Sequence, residues 1–159
     1  MALIQMTQEF NATPEQVWPF ITSPTAVLDE LGIDYESEPI EIPGFDDAMV
    51  VTVIEKGKPH QAQTAVVESD PPGRHRTLSS GGFIGGDMIA HNDRLVLLEP
   101  IDAGTRVTII QNWAPENPAR GPVAKFHWRL TFWLAKSHLQ SLVEGEFATL
   151  QRYLERSTG

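Results

Sequence analysis

A chain of 159 residues with a net charge of −9 and no cysteine is long enough for one domain, residues 1–159, burying about two thirds of its unfolded surface without covalent staples. The missing thiols exclude disulfides, thiolate nucleophiles and cysteine-based zinc sites. The acidic balance argues against nucleic acid, whose binders need a positive field to displace counterions.

The opening MALIQMTQEF lacks the basic region and apolar run of a signal peptide. No segment approaches the ~20 apolar residues of a membrane span, so a soluble cytoplasmic protein is expected. Residues 2 to 10 alternate as a strand, with Ile4, Met6 and Phe10 on one face. Thr13 then offers an N-cap, Pro14 suits the first helical position, and Gln16 completes a capping box. The short helix that follows buries Val17, Trp18, Phe20 and Ile21 and stops before Pro24. A second short helix over 25–31 ends at Gly32.

From Tyr35 to Trp113 the signals are strand and turn. Strands are expected at 36–43, 49–55, 61–69, 74–80, 88–98 and 105–113, separated by turns rich in Gly, Pro and Asp. Val123 to Ser157 reads as one long amphipathic helix, with Trp128, Phe132, Ala135, Leu139, Leu142, Val143, Leu150, Tyr153 and Leu154 on a stripe. Between Phe126 and Leu134 apolar residues lie all round the axis. That part is therefore buried on several sides, rims a cavity or meets a partner, and any break in the helix is expected between Phe126 and Ala135. Glu146 falls inside the stripe, where a carboxylate needs a partner or a raised pKa.

Short connections force an antiparallel sheet, and an apolar helical stripe must lie on one of its faces. The expected class is α+β, a curved sheet of six to seven strands gripping a long C-terminal helix. That order resembles the START-like or SRPBCC superfamily, the helix-grip fold of birch pollen allergen relatives and bacterial polyketide cyclase/dehydrase-type proteins. The resemblance is carried by Ala12-Thr13-Pro14-Glu15-Gln16-Val17-Trp18, by Val66 to Pro72, by Leu98-Glu99-Pro100 with Gly104-Thr105-Arg106-Val107-Thr108, and by Leu150-Gln151-Arg152-Tyr153-Leu154-Glu155. It implies a cavity between sheet and helix that holds a hydrophobic or amphipathic molecule, polyketide-like, aromatic or lipidic. It implies no single reaction and no cofactor. The glycine-rich stretch 81–86 lacks the Lys-Ser/Thr that follows a phosphate loop and opens into a strand, so it reads as a flexible hairpin; in such a fold a loop there can also cover the cavity mouth, with Phe83 and Ile84 as a lid.

Strand parity puts Val107, Ile109, Gln111 and Trp113 on one face. If that face meets the helix, Gln111 and Trp113 look across a pocket at Trp128, Phe132 and Leu139, with Met88 and Ala90 also facing in. The bland alternative is a core tryptophan beside a solvated Gln111. Asp34, Glu38, Asp87, His91 and Glu146 are the acid-base groups, of which Glu146 has a physical reason to be unusual, either as a buried partner of Arg76 or Arg94 or as a general acid or base. No metal site is expected: His127 and His138 share a helical face but lie roughly 16 Å apart at ~1.5 Å per residue.

The first functional expectation is therefore a protein that binds a hydrophobic small molecule, with cofactor-independent cyclase or dehydratase activity left open. The second is a protein-interaction module docking through 126–134, and a homodimer covering that segment is a third outcome. Exposure of Leu130 and Trp133 favours docking, and burial of Trp128, Phe132 and Trp133 removes its basis.

Overall fold

The computed structural model describes residues 2–84, 88–115 and 121–158. Strand β1 (Ala2–Phe10) leads into α1 (Pro14–Ile21) through the expected capping box: Gln16 N–H donates to Thr13 Oγ1 at 3.3 Å, and Thr13 N–H donates to Gln16 Oε1 at 2.8 Å. Helix α2 (Ala26–Leu31) ends at Gly32, whose φ of 68° is the left-handed cap a side chain would resist. Then come β2 (Tyr35–Pro39), β3 (Ala48–Glu55), β4 (Lys58–Asp70), β5 (Arg74–Ile84), β6 (Met88–Ile101), β7 (Gly104–Pro115) and α3 (Pro122–Thr158).

All seven strands pair antiparallel in one sheet, in the order β1-β7-β6-β5-β4-β3-β2. Strands β2 to β7 form a meander, as their short turns require, and β1 adds beside β7 with Phe10 opposite Thr105. This is the α+β helix-grip fold. Thr105, fully buried, donates its hydroxyl to the Ala12 carbonyl at 2.7 Å and so ties the start of β7 to the turn after β1.

The apolar core fills one half of the inner face. Ile4 and Phe10 of β1, Val96 and Leu98 of β6, and Val107 and Ile109 of β7 meet Val17 and Phe20 of α1. Leu139, Val143, Phe147, Leu150 and Leu154 of α3 close over them, and each such burial stabilises by about 1.5–3 kcal/mol. Phe147 lies 5.7 Å from Phe10, ring centre to ring centre. The buried stripe of α3 differs from expectation at two places. Leu142 is exposed, and Phe147, one residue past Glu146, supplies the contact instead.

Helix α3 also runs without a break through Phe126 to Ala135. The crowding is relieved by orientation: Phe132 is buried and stacks on half-buried Trp128, while Phe126, Leu130, Trp133 and Leu134 point outward. None of the described helices is long and apolar enough to cross a membrane.

Candidate ligand cavity

The other half of the inner face is built from short side chains. Pairing sets Met49, Thr64, Ser79, Asn92 and Trp113 opposite one another from β3 to β7. Two residues along, and therefore on the same face, Val66, Thr77, Arg94 and Gln111 form a second row. A third row holds Ser69, His75, Val96 and Ile109. Toward β1 and β7 the inner-face residues that meet α1 and α3, among them Ile4, Val107 and Ile109, are large and apolar. Toward β4 and β5 they are Thr64, Thr77 and Ser79, with Asn92 of β6, which are too short to fill the space.

What remains is a cavity of about 480 Å³ between β3 to β6 and the two short helices, within the size range of small-molecule sites. Ile21, Pro24 and Val27 roof it, and Glu146 enters from α3. Its floor is mostly polar: Thr64, Thr77, Ser79 and Asn92, with Asp47, His75 and Arg94.

Glu146 is the side chain that joins α3 to this floor. Arg94 Nη1 donates to its Oε2 at 2.8 Å and Nη2 to its Oε1, a bidentate pair with only 18% and 16% of the two side chains exposed. Burial works against the Arg94 charge, but the Glu146 carboxylate outweighs it and holds the guanidinium pKa above its ordinary value. Arg76, the other candidate partner for Glu146, pairs instead with Asp93, one residue out of phase with the inner face.

His75 is 7% exposed, and its ring meets Trp18 edge-on at 5.6 Å. Its Nδ1 lies 3.2 Å from Ser69 Oγ, while its buried Nε2 has no hydrogen-bond partner. Burial, reinforced by the Arg94 charge, pushes its pKa below the usual 6.5 against an opposing pull from Asp47, so the ring is neutral at pH 7. Asn92, 6% exposed, has an unpartnered buried Oδ1. Most buried polar atoms are paired. The two described here that are not belong to residues that line the cavity, but the atoms themselves are enclosed by protein.

The residues singled out from sequence fall into three places. Gln111 and Trp113 do share a face, and the indole Nε1–H of Trp113 donates to Gln111 Oε1 at 3.0 Å. They stand on β7 opposite Arg94 and Asn92, beside the cavity and not among its lining residues. Leu139 is in the apolar core, Phe132 and Trp128 stack on each other, and Ala90 is buried on β6 one row beyond Asn92. The side chains of Met88, Phe83 and Ile84 lie outside the described residues. His75, Asn92 and Arg94 were missed as a set, although the alternation Ala90, Asn92, Arg94, Val96, Leu98 carries the signal of polar residues on an inward face. No three acidic or histidine side chains among the described residues are grouped to hold a metal.

No family model matches the chain, and no curated protein matches it. Solved structures do. The protein TTHA0849 from Thermus thermophilus superposes with a TM-score of 0.67 at 19% identity, covering 99% of each chain. Ara h 8.0201 gives 0.64 at 16% identity over 97% of each chain. DynU16, a protein of the dynemicin biosynthetic locus, gives 0.62 at 16% identity over 98% of this chain and 48% of its own. At these identities the likeness establishes the helix-grip fold.

Proposed function

We propose that the protein binds an amphipathic small molecule in the cavity between β3 to β6, the two short helices and Glu146. The observation that carries this is the cavity of about 480 Å³ itself, with an apolar roof and a floor of Thr64, Thr77, Ser79, Asn92 and His75 whose side chains are too short or too few to fill it. The apolar roof of Ile21, Pro24 and Val27 takes the body of such a molecule. A neutral His75 held by Ser69 is also equipped to accept a proton, which makes it a better acid-base candidate than Glu146, whose carboxylate is occupied by Arg94. A dehydration or cyclisation in this site rests on confinement and that one base. Occurrence of DynU16 in a biosynthetic locus is in keeping with a polyketide-like ligand.

The test is native mass spectrometry of protein purified from its own host, paired with Trp fluorescence. A copurifying organic molecule whose removal changes Trp18 emission supports the reading. Failure of all aromatic and lipidic compounds to perturb emission at high micromolar concentration argues against it.

A second reading, docking of a protein partner through 126–134, is favoured by the exposure of Trp133 at 71% and Phe126 at 66%. If that surface works, Phe126→Ser with Trp133→Ser abolishes partner capture or self-association and leaves small-molecule binding intact.

A further inference from the structure

Helix α3 has two unlike halves. Its C-terminal half closes the core through Leu139, Val143, Phe147, Leu150 and Leu154. From Gly121 to Val143 the chain carries Lys125, Arg129 and Lys136 and no Asp or Glu, although its net charge as a whole is −9. At ~100° per residue, Val123, Phe126, Leu130, Trp133 and Leu134 share one stripe roughly 100° wide, nearly opposite the line of Trp128, Phe132 and Leu139 that faces the protein. All five are exposed. Lys125, Arg129 and Lys136 are exposed too, and all three fall along one border of that stripe. Arg74, Arg76, Arg94, Arg106 and Arg156 each pair with a carboxylate, whereas these three cations pair with none among the described residues.

We infer that this face of α3, residues 122–138, docks on an anionic lipid surface. The apolar stripe enters the boundary between headgroups and acyl chains, and Lys125, Arg129 and Lys136 lie against the lipid phosphates. The face is independent of the cavity, whose described lining residues include none of these side chains.

Shape and charge together select a bilayer over a protein. A helix that lies in a membrane interface carries Trp, Phe and Leu on one side with Lys or Arg beside them. Trp133 suits that depth, because an indole has an apolar body and a polar N–H. The stripe is one helix wide and roughly 17 Å long from Val123 to Leu134 at ~1.5 Å per residue, whereas a stable protein interface takes about 800 Å² from each partner. A second copy docked by twofold symmetry would set the acid-free segment against itself, with no carboxylate opposite the cations. The core lies on the opposite side of the helix, and screening over ~10 Å weakens the repulsion between its acidic surroundings and the lipid.

The test sediments the whole protein with vesicles of phosphatidylcholine alone and of equal parts phosphatidylcholine and phosphatidylglycerol, at low and at physiological salt. Binding should favour the anionic vesicles, weaken as salt is raised, and move tryptophan emission to the blue. Lys125→Gln, Arg129→Gln and Lys136→Gln should each weaken it roughly fivefold. Phe126→Ser with Trp133→Ser should abolish it, and Trp133→Phe should bind as the wild type does while losing most of the emission shift. Melting curves identify a variant that misfolds, and the wild-type preference between vesicles is read without any variant.

Binding that is indifferent to all these substitutions means a lipid drawn into the cavity; it overturns the docking face and leaves the cavity reading standing. Equal binding to both vesicles overturns the choice of an anionic surface. Binding to neither overturns lipid docking altogether. A wild-type dimer in sedimentation velocity, dissociated by Phe126→Ser with Trp133→Ser, then gives the face to a second copy, and a monomer gives it to a protein of another kind.

Discussion

Glu146→Gln is the substitution on which the account of α3 is most exposed. The change keeps the shape of the side chain and removes the charge, leaving Arg94 with one amide oxygen where it had a bidentate carboxylate. Breaking a fully buried pair costs about 3–5 kcal/mol. The two side chains here are 18% and 16% exposed beside a cavity, so screening reduces the expected loss to about 2 kcal/mol. In a chain of this size that corresponds to a Tm lower by roughly 4–8 °C. Arg94→Met should cost a similar amount by stranding Glu146. The double variant, which strands neither charge, should be more stable than the two single losses predict by about 1 kcal/mol or more. Urea unfolding followed by far-UV circular dichroism and by tryptophan emission measures all four proteins. Additive losses, or a loss below about 0.5 kcal/mol for Glu146→Gln, would falsify the claim that this pair fixes the helix over the cavity.

Gly104→Ala should be among the most damaging single changes, by more than about 3 kcal/mol, because a Cβ there would meet the Phe10 carbonyl oxygen at 2.0 Å with φ at 144°; a soluble variant with an unaltered melting curve contradicts the packing of β1 on the β6–β7 turn. Stability of the wild type should fall as pH is lowered through about 6.5, since the unfolded chain then binds a proton that folded His75, with its lowered pKa, resists. The His75→Gln variant should lack that component of the pH dependence, and parallel profiles for the two proteins rule it out. Leu139→Ala should cost about 2–5 kcal/mol from a site 1% exposed, whereas Trp133→Ser, at 71% exposed, should change unfolding by about 0.5 kcal/mol or less; equal losses would mean that α3 is rotated from its described face.

The elements were legible because each is bounded by strong local chemistry. Thr13, Pro14 and Gln16 mark the first helix, Gly32 ends the second, and each strand lies between turn residues at short spacing. The long helix was legible from its period, and Glu146 stood out because a charge interrupted an apolar stripe. The cavity was harder to place. Parity set Gln111 and Trp113 on the inner face, but no local pattern tells which part of that face α3 covers. That depends on the crossing of helix over sheet, a tertiary quantity. Asn92 and Arg94 lay in a strand whose Leu95 to Leu98 run blurs the alternation, because β6 is half-buried on its outer side as well. Phe126 and Trp133 carry no residue-level mark that separates an outward aromatic from a buried one.

The pairing of β1 with β7 has a consequence for how the protein is made. Phe10 emerges from the ribosome 95 residues before its partner Thr105, a delay of roughly 5 to 20 s at ordinary elongation rates. Strands β2 to β6 can zip onto one another as each hairpin appears, since every closure is local. Strand β1 has no such neighbour and must wait with Ile4, Met6 and Phe10 in water, as must Val17 and Phe20 just behind it. Its docking and the arrival of α3 complete the same core, so the fold is completed by a single long-range closure. Until that closure the nascent chain presents an unpaired amphipathic strand, which makes this interval, more than any in the finished protein, the one at which a chaperone or an aggregating neighbour competes for the chain.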